Sequence, residues 1–219
     1  MSLPHPIREM KLCYVTDRKS LPGSPEGQVG LLLEKIESAA RGGVDWIQIR
    51  EKDLSGRALA MLVSEALRRV PKSCRLLVND RLDVALAAGA GGVHLGEQSL
   101  PVEEVKRLVK ERKIGGEFLV GVSAHSLESV RSAEANGAHY VIFGPVFATP
   151  SKLGYGPPQG VERLAQACRS VTIPVMAIGG ITVENAFECA AAGAAGIAAI
   201  RLFQAADDAA TMVRALRAR

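Results

Sequence analysis

The chain has 219 residues, 47% of them hydrophobic and 23% charged, with a net charge of +4. This length suits one (β/α)8 barrel, and the composition is that of an ordinary globular chain. Lys and Arg are interspersed with Asp and Glu, which argues against a nucleic-acid-binding stripe or a polybasic membrane anchor, and no apolar run is long enough to cross a bilayer. The opening residues Met1 to Pro6 do not read as a signal peptide. Cys13, Cys74, Cys168 and Cys189 are widely spaced with no C-x-x-C pair, as expected of reduced core thiols in a cytoplasmic protein.

Taken in order, apolar runs predict strands near 12–16, 45–50, 75–79, 91–95, 118–122, 139–143, 174–178 and 196–200. Between them, helices are predicted near 28–41, 55–69, 82–88, 101–111, 127–136, 160–170, 183–192 and 207–217. Runs such as Leu76-Leu77-Val78 and Val175-Met176-Ala177-Ile178 are continuously apolar, as parallel strands covered on both faces should be. Ser55 and Pro101 mark helix starts, with Glu103 and Glu104 in the turn after Pro101. Four passages repeat one pattern of an Ala-rich helix end, a glycine and a short strand: 40–47, 88–95, 135–142 and 192–199. Their glycines suit the left-handed position just past a helix, and their recurrence points to repeated βα units. An open dinucleotide-binding sheet would need a G-x-G-x-x-G after its first strand, and none is present. The expected architecture is a single α/β TIM barrel over residues 1–219, with 1–10 as a flexible N-terminal extension. The Ala-rich last two helices leave room for a homo-oligomer.

In such a barrel the active site lies at the carboxyl ends of the strands. Strand two ends in Gln48-Ile49-Arg50-Glu51-Lys52, whose alternation puts Gln48, Arg50 and Lys52 on one face and Ile47, Ile49 and Glu51 on the other. The two cations either face an anion, such as a phosphate, or pair with Glu51, Asp53 or an acid on a neighbouring strand. Strand three ends in Asn79-Asp80; Asp80 is a Mg2+ ligand candidate or a simple ion-pair partner for that row. The Gly179-Gly180 turn and the segment Gly196 to Arg201 follow strands seven and eight, where barrels often hold a phosphate; the plain alternative for the glycines is a tight turn. The long Gly- and Pro-rich loop 144–160 places Lys152 and Gly154 where they would close on that phosphate.

The ordered set of strand-end motifs resembles the thiamine phosphate synthase and TenI family. It comprises Tyr14-Val15-Thr16-Asp17-Arg18, Gln48 to Lys52, Val78-Asn79-Asp80-Arg81, Gly92-Val93-His94-Leu95-Gly96, Gly121 to Ser126, Gly144 to Lys152 and Ala177 to Ile181, and so spans essentially the whole chain. The resemblance implies coupling of aminopyrimidine methyl pyrophosphate with a thiazole phosphate to give thiamine phosphate and pyrophosphate, with Mg2+. On this reading Gln48, Arg50, Lys52 and Asn79 hold the pyrophosphate and Asp80 ligates the metal. Ser123 bonds the pyrimidine, Thr149, Ser151 and Lys152 line the substrates, and Gly179 and Gly180 lie at the thiazole phosphate. Arg50, Lys52, Ser123, His125 and Lys152 are the catalytic candidates.

The TenI-like branch implies instead a metal-free tautomerisation of a thiazole carboxylate phosphate, with His125 as acid and base; a third reading is a non-catalytic paralogue that binds thiazole or thiamine phosphates. All three imply small phosphorylated partners, with no nucleic acid and no membrane. Two departures from the synthase pattern stand out. Glu97-Gln98-Ser99 puts Ser99 where the family usually has a second metal-binding Asp, and Arg201 follows strand eight where a Ser is common, as a substrate-binding candidate that either adds a charged phosphate contact or points to solvent. The loop 152–156 also looks closer to the TenI-like branch.

Overall fold

The computed structural model describes residues 10–114, 116–149, 157–206 and 208–218. Eight parallel strands, β1 (Lys11–Val15), β2 (Trp46–Ile49), β3 (Arg75–Asn79), β4 (Gly92–Leu95), β5 (Leu119–Ala124), β6 (Tyr140–Phe143), β7 (Val175–Ile178) and β8 (Gly196–Ala199), close in sequence order into a barrel. The expected barrel is thus observed. The helices on its outside are α1 (Pro25–Arg41), α2 (Gly56–Arg69), α3 (Leu82–Ala88), α4 (Val102–Glu111), α5 (Leu127–Ala135), α6 (Gly160–Ser170) and α7 (Ala186–Ala191). A four-residue α8 (Arg201–Gln204) and α9 (Ala209–Arg217) complete the described helices.

The repeated glycine pattern has a direct structural cause. Gly43, Gly89, Gly137 and Gly193 all have positive φ, between 73° and 100°. After each, the next amide reaches back to close the helix: Val44 to the carbonyl of Ala39, Ala90 to Ala85, Ala138 to Ala133 and Ala194 to Cys189. The four closures precede β2, β4, β6 and β8, so the repeat has a period of two βα units.

Helix starts depart from expectation at α1, which begins at Pro25, three residues early, at α7 and at the last helix. Before α7, the amide of Thr182 donates to Asn185 Oδ1 (2.8 Å) and the amide of Asn185 donates to Thr182 Oγ1 (3.3 Å). This local exchange holds 182–185 as a turn, so the helix begins three residues later than predicted. The final helix begins after Asp208, whose carboxylate accepts from the amides of Ala210 and Thr211. The short α8 was not expected. It is held by buried Gln204, which accepts from the Tyr14 hydroxyl (2.8 Å) and the Asp17 amide (3.0 Å), tying the end of the barrel to its beginning. Residues 1–9 of the expected extension lie outside the described residues.

The core has two shells. Ile47, Ile49, Leu76, Val78 and their equivalents face the helices, whereas Cys13, Val15, Leu77, Leu119, Tyr140, Ile142, Met176 and Ala198 fill the barrel with Trp46 against them. The four cysteines are free, and burial pushes Cys74 and Cys189 up to about 12, so neither is a reactive thiol. Among the described residues, no helix is long and apolar enough to cross a membrane.

Gly121 is a packing requirement. A Cβ there would lie 2.0 Å from Cζ of Tyr140, whose ring fills the space that the glycine leaves. Gly121→Ala is therefore expected to cost about 1–3 kcal/mol through overpacking, read as a lower urea midpoint with an unchanged slope; an unaltered midpoint would contradict this account.

Candidate active site

At the carboxyl ends of the strands lies a cavity of about 1320 Å3 to which all eight strand ends contribute. Gln48, Arg50 and Lys52 line it, as the alternation predicts, although the strand stops at Ile49 and Lys52 sits in the following turn. Buried Gln48 donates from Nε2 to Asn79 Oδ1 (2.9 Å), while its Oε1 has no partner among the described residues.

The neighbouring acids are not the partners of Arg50 and Lys52. Arg18, with only 9% of its side chain exposed, contacts Glu51 at 3.4 Å and grips Asp53 with both guanidinium nitrogens at 2.8 and 2.7 Å. Glu51 also accepts from the Thr16 hydroxyl (2.6 Å) and the Arg18 amide, and Lys19 adds a contact to Asp53 at 3.3 Å. Hydrogen bonds from Arg18 hold the Asp53 carboxyl well below its ordinary range, whereas burial pushes Glu51 upward. Thr16 Oγ1 in turn accepts from the Arg50 amide at 2.9 Å and fixes the backbone where the cation row begins. Among the described residues, Arg50 and Lys52 form no ion pair. The Arg18 lock was not anticipated from sequence, because the charge pattern shows four acids and cations near one another without saying which side chains share a face.

Asp80 has a left-handed backbone (φ 65°). Its amide donates to the His94 carbonyl (2.8 Å), and its Oδ1 accepts from the Ser99 hydroxyl, which itself accepts from the Gly96 amide at 2.7 Å. Arg81 takes Asp83 with two hydrogen bonds and forms no hydrogen bond with Asp80 among the described residues, and Asp80 lines the cavity. No group of three His, Cys, Asp or Glu side chains that could hold a metal occurs among the described residues. One carboxylate with a hydroxyl does not make a protein-only cage. It does fit Mg2+, which is commonly held by one or two carboxylates with substrate phosphates and water.

Ser123 and His125 both line the cavity. Ser123 Oγ lies 2.9 Å from Nε2 of buried His94, whose Nδ1 is 3.1 Å from the Tyr140 hydroxyl. His94 was read only as part of a strand-end motif and not as a site residue; its place behind Ser123 depends on cross-strand register. His125 is hydrogen-bonded through Nδ1 to the Gly144 carbonyl, and its Nε2 is 4.0 Å from Glu97. The backbone bond fits a structural role, yet the outer nitrogen still faces the cavity.

Gly179 and Gly180 have φ of 98° and 65°. A Cβ on either would come within 2.5 Å of the β6 loop, at Pro145 and at the Ala148 carbonyl respectively. The tight turn is therefore real, and its glycine backbone also lines the cavity beside the start of α8. Arg201 reaches from α8 to Thr149 Oγ1 at 3.1 Å rather than pointing only to solvent, and so bridges the β6 and β8 ends. Ser151, Lys152 and Gly154 lie outside the described residues.

Residues 12–203 match the family described as "Thiamine monophosphate synthase". A Methanoculleus marisnigri protein named "Thiamine-phosphate synthase" is 44% identical over 183 residues, 83% of this chain and 84% of its own. The protein of that name from a Roseiflexus species (strain RS-1) is 42% identical over 99% of this chain and 87% of its own. The solved structure of a "Thiamine phosphate pyrophosphorylase" from Pyrococcus furiosus superposes with a TM-score of 0.81 at 33% identity, covering 97% of this chain and 96% of that one.

Burial, with the charge of Arg50, lowers His94 to about 3, so it is neutral in the folded protein at pH 7. In the unfolded chain it takes up a proton near pH 6.5. Its contribution to stability is thus present above pH 6.5 and lost as pH falls toward 3, at up to roughly 1 kcal/mol per pH unit. Replacing it by His94→Gln is expected to flatten the stability–pH curve between pH 6.5 and 4, as measured by urea unfolding; parallel curves for the two proteins would contradict the shift.

Proposed function

The chain belongs to the thiamine monophosphate synthase family, and from that premise we propose that it joins an aminopyrimidine methyl pyrophosphate to a thiazole phosphate, releasing pyrophosphate and forming thiamine phosphate. The observation that carries this reading is the pair Arg50 and Lys52, which line the cavity and form no ion pair among the described residues although two acids lie beside them in sequence. Unpaired cations gathered at a cleft attract an anionic ligand.

In the proposed reaction the bond between the pyrimidine methylene carbon and the pyrophosphate oxygen breaks, and the thiazole nitrogen bonds to that carbon. Negative charge grows on the leaving pyrophosphate, and Arg50 and Lys52 stabilise it where it develops. Asn79, oriented by Gln48, adds an amide to the same subsite. Ser123 holds the pyrimidine, and the Gly179-Gly180 turn with Arg201 and Thr149 receives the thiazole phosphate. Ser151 and Lys152 extend that lining on the motif resemblance alone. Asp80, steadied by Ser99, would hold Mg2+ together with the pyrophosphate. When bound, the metal supplies further positive charge for the leaving group. No nucleophile on the protein is required.

Purified protein supplied with both substrates and Mg2+ is expected to form thiamine phosphate. Formation should stop with EDTA and fall strongly in Asp80→Ala. Arg50→Ala is expected to lower kcat by about 10²- to 10³-fold, the usual effect of removing one donor to a developing anion. Failure to form product from these substrates would sink the reading. Turnover of a thiazole carboxylate phosphate that survives EDTA and vanishes in His125→Ala would establish the tautomerase in its place.

A further inference from the structure

A single row of cross-strand partners runs through the floor of the cavity: Asn79 pairs with His94, His94 with Gly121, and Gly121 with Tyr140. Partners in a parallel sheet point to the same side, here into the barrel. Gly121 has no side chain, so the Tyr140 ring crosses β5 and its hydroxyl reaches Nδ1 of His94 at 3.1 Å. Nε2 of the same ring meets Ser123 Oγ at 2.9 Å, one layer closer to the cavity mouth. Tyr140 and His94 are 1% and 2% exposed, so neither can call on bulk solvent to complete its hydrogen bonds.

Two proton arrangements satisfy these distances. In the first, Tyr140 donates to Nδ1, Nε2–H donates to Ser123, and the Ser123 proton is free to point into the cavity. In the second, Nδ1–H donates to Tyr140 and Ser123 donates to Nε2. The second leaves the Tyr140 proton without an acceptor, because among the described residues the hydroxyl has no hydrogen-bond partner besides His94 Nδ1. A buried donor left without an acceptor loses its hydration with nothing in return, which disfavours this arrangement. A doubly protonated ring would also donate from Nδ1 and strand the same Tyr140 proton.

We propose that Tyr140 and His94 are positioning residues that fix the direction of the Ser123 hydroxyl, presenting it to the ligand as a hydrogen-bond donor and so selecting a ligand with an acceptor atom at that point. A ring nitrogen of a heteroaromatic such as an aminopyrimidine has that property; an exocyclic amine does not. The identity of the ligand rests on the function proposed above, whereas the proton arrangement does not.

The test has one arm independent of activity. Nuclear magnetic resonance of the intact protein labelled with 15N-histidine reports which ring nitrogen of His94 bears the proton. The neutral Nε2–H form is expected at pH 7, and the Nδ1–H form would overturn the proposal whatever the enzyme does. The kinetic arm uses Tyr140→Phe, which keeps the ring. It is expected to raise KM for the pyrimidine substrate about three- to tenfold, the worth of one hydrogen bond, and to leave KM for the thiazole phosphate unchanged. In a Ser123→Ala background the same substitution should change KM by less than twofold. An equal effect in both backgrounds would mean that Tyr140 acts through packing and not through Ser123, and would overturn the proposal. If the wild-type protein makes no thiamine phosphate, the functional reading fails by itself and the tautomer still decides this one.

Discussion

The active cleft depends on where the charge of Arg18 goes. This guanidinium, nearly buried behind β2, holds Glu51 and Asp53 together. Taking an ion pair out of water is expensive, and such a pair adds little net stability unless its geometry is excellent. Here the two-pronged grip on Asp53 and the hydrogen bonds from Thr16 and the Arg18 amide to Glu51 supply that geometry. The consequence is local charge separation. The acids are neutralised by Arg18, although Glu51 also lines the cavity, and Arg50 and Lys52 keep their charge there.

A second set of buried polar contacts works beneath the same cavity. Gln48 orients Asn79 on one side, and Tyr140, His94 and Ser123 form a chain on the other. Polar groups this deep in a barrel are tolerated because each finds a partner, and the same requirement fixes their orientation. The exception is Gln48 Oε1, an acceptor with no protein donor beside the cations. An unmet acceptor at the floor of a ligand cavity is satisfied by a donor from a ligand or from water.

The barrel frame holds these groups at fixed heights. Backbone closures after α1, α3, α5 and α7 set the entry into every second strand, and inward positions alternate between apolar filler below and polar groups above. Asp45 performs the corresponding task at the other end, where it accepts from the Leu12 amide at 2.8 Å and from Arg217 at 2.6 Å and ties β1, β2 and α9 together. Lys11 adds a more exposed contact to the same carboxylate at 3.1 Å.

Much of this was determined by the sequence alone. The apolar runs, the four glycines past helix ends and the polar residues after each strand specify a parallel barrel with one polar rim, because backbone conformation and side-chain alternation are local properties. The inward direction of Gln48 and Arg50 and the placement of Asn79, Asp80, Ser123 and the Gly179-Gly180 turn around one cavity follow from that frame. What only the tertiary structure decided is which neighbour each side chain takes. That Arg18 and not Arg50 claims Glu51, that Ser99 bonds Asp80, that Arg201 reaches Thr149 and that His94 stands between Tyr140 and Ser123 all depend on contacts between distant segments. Their geometry is set by barrel closure and strand register, and neither is encoded at any one position in the chain.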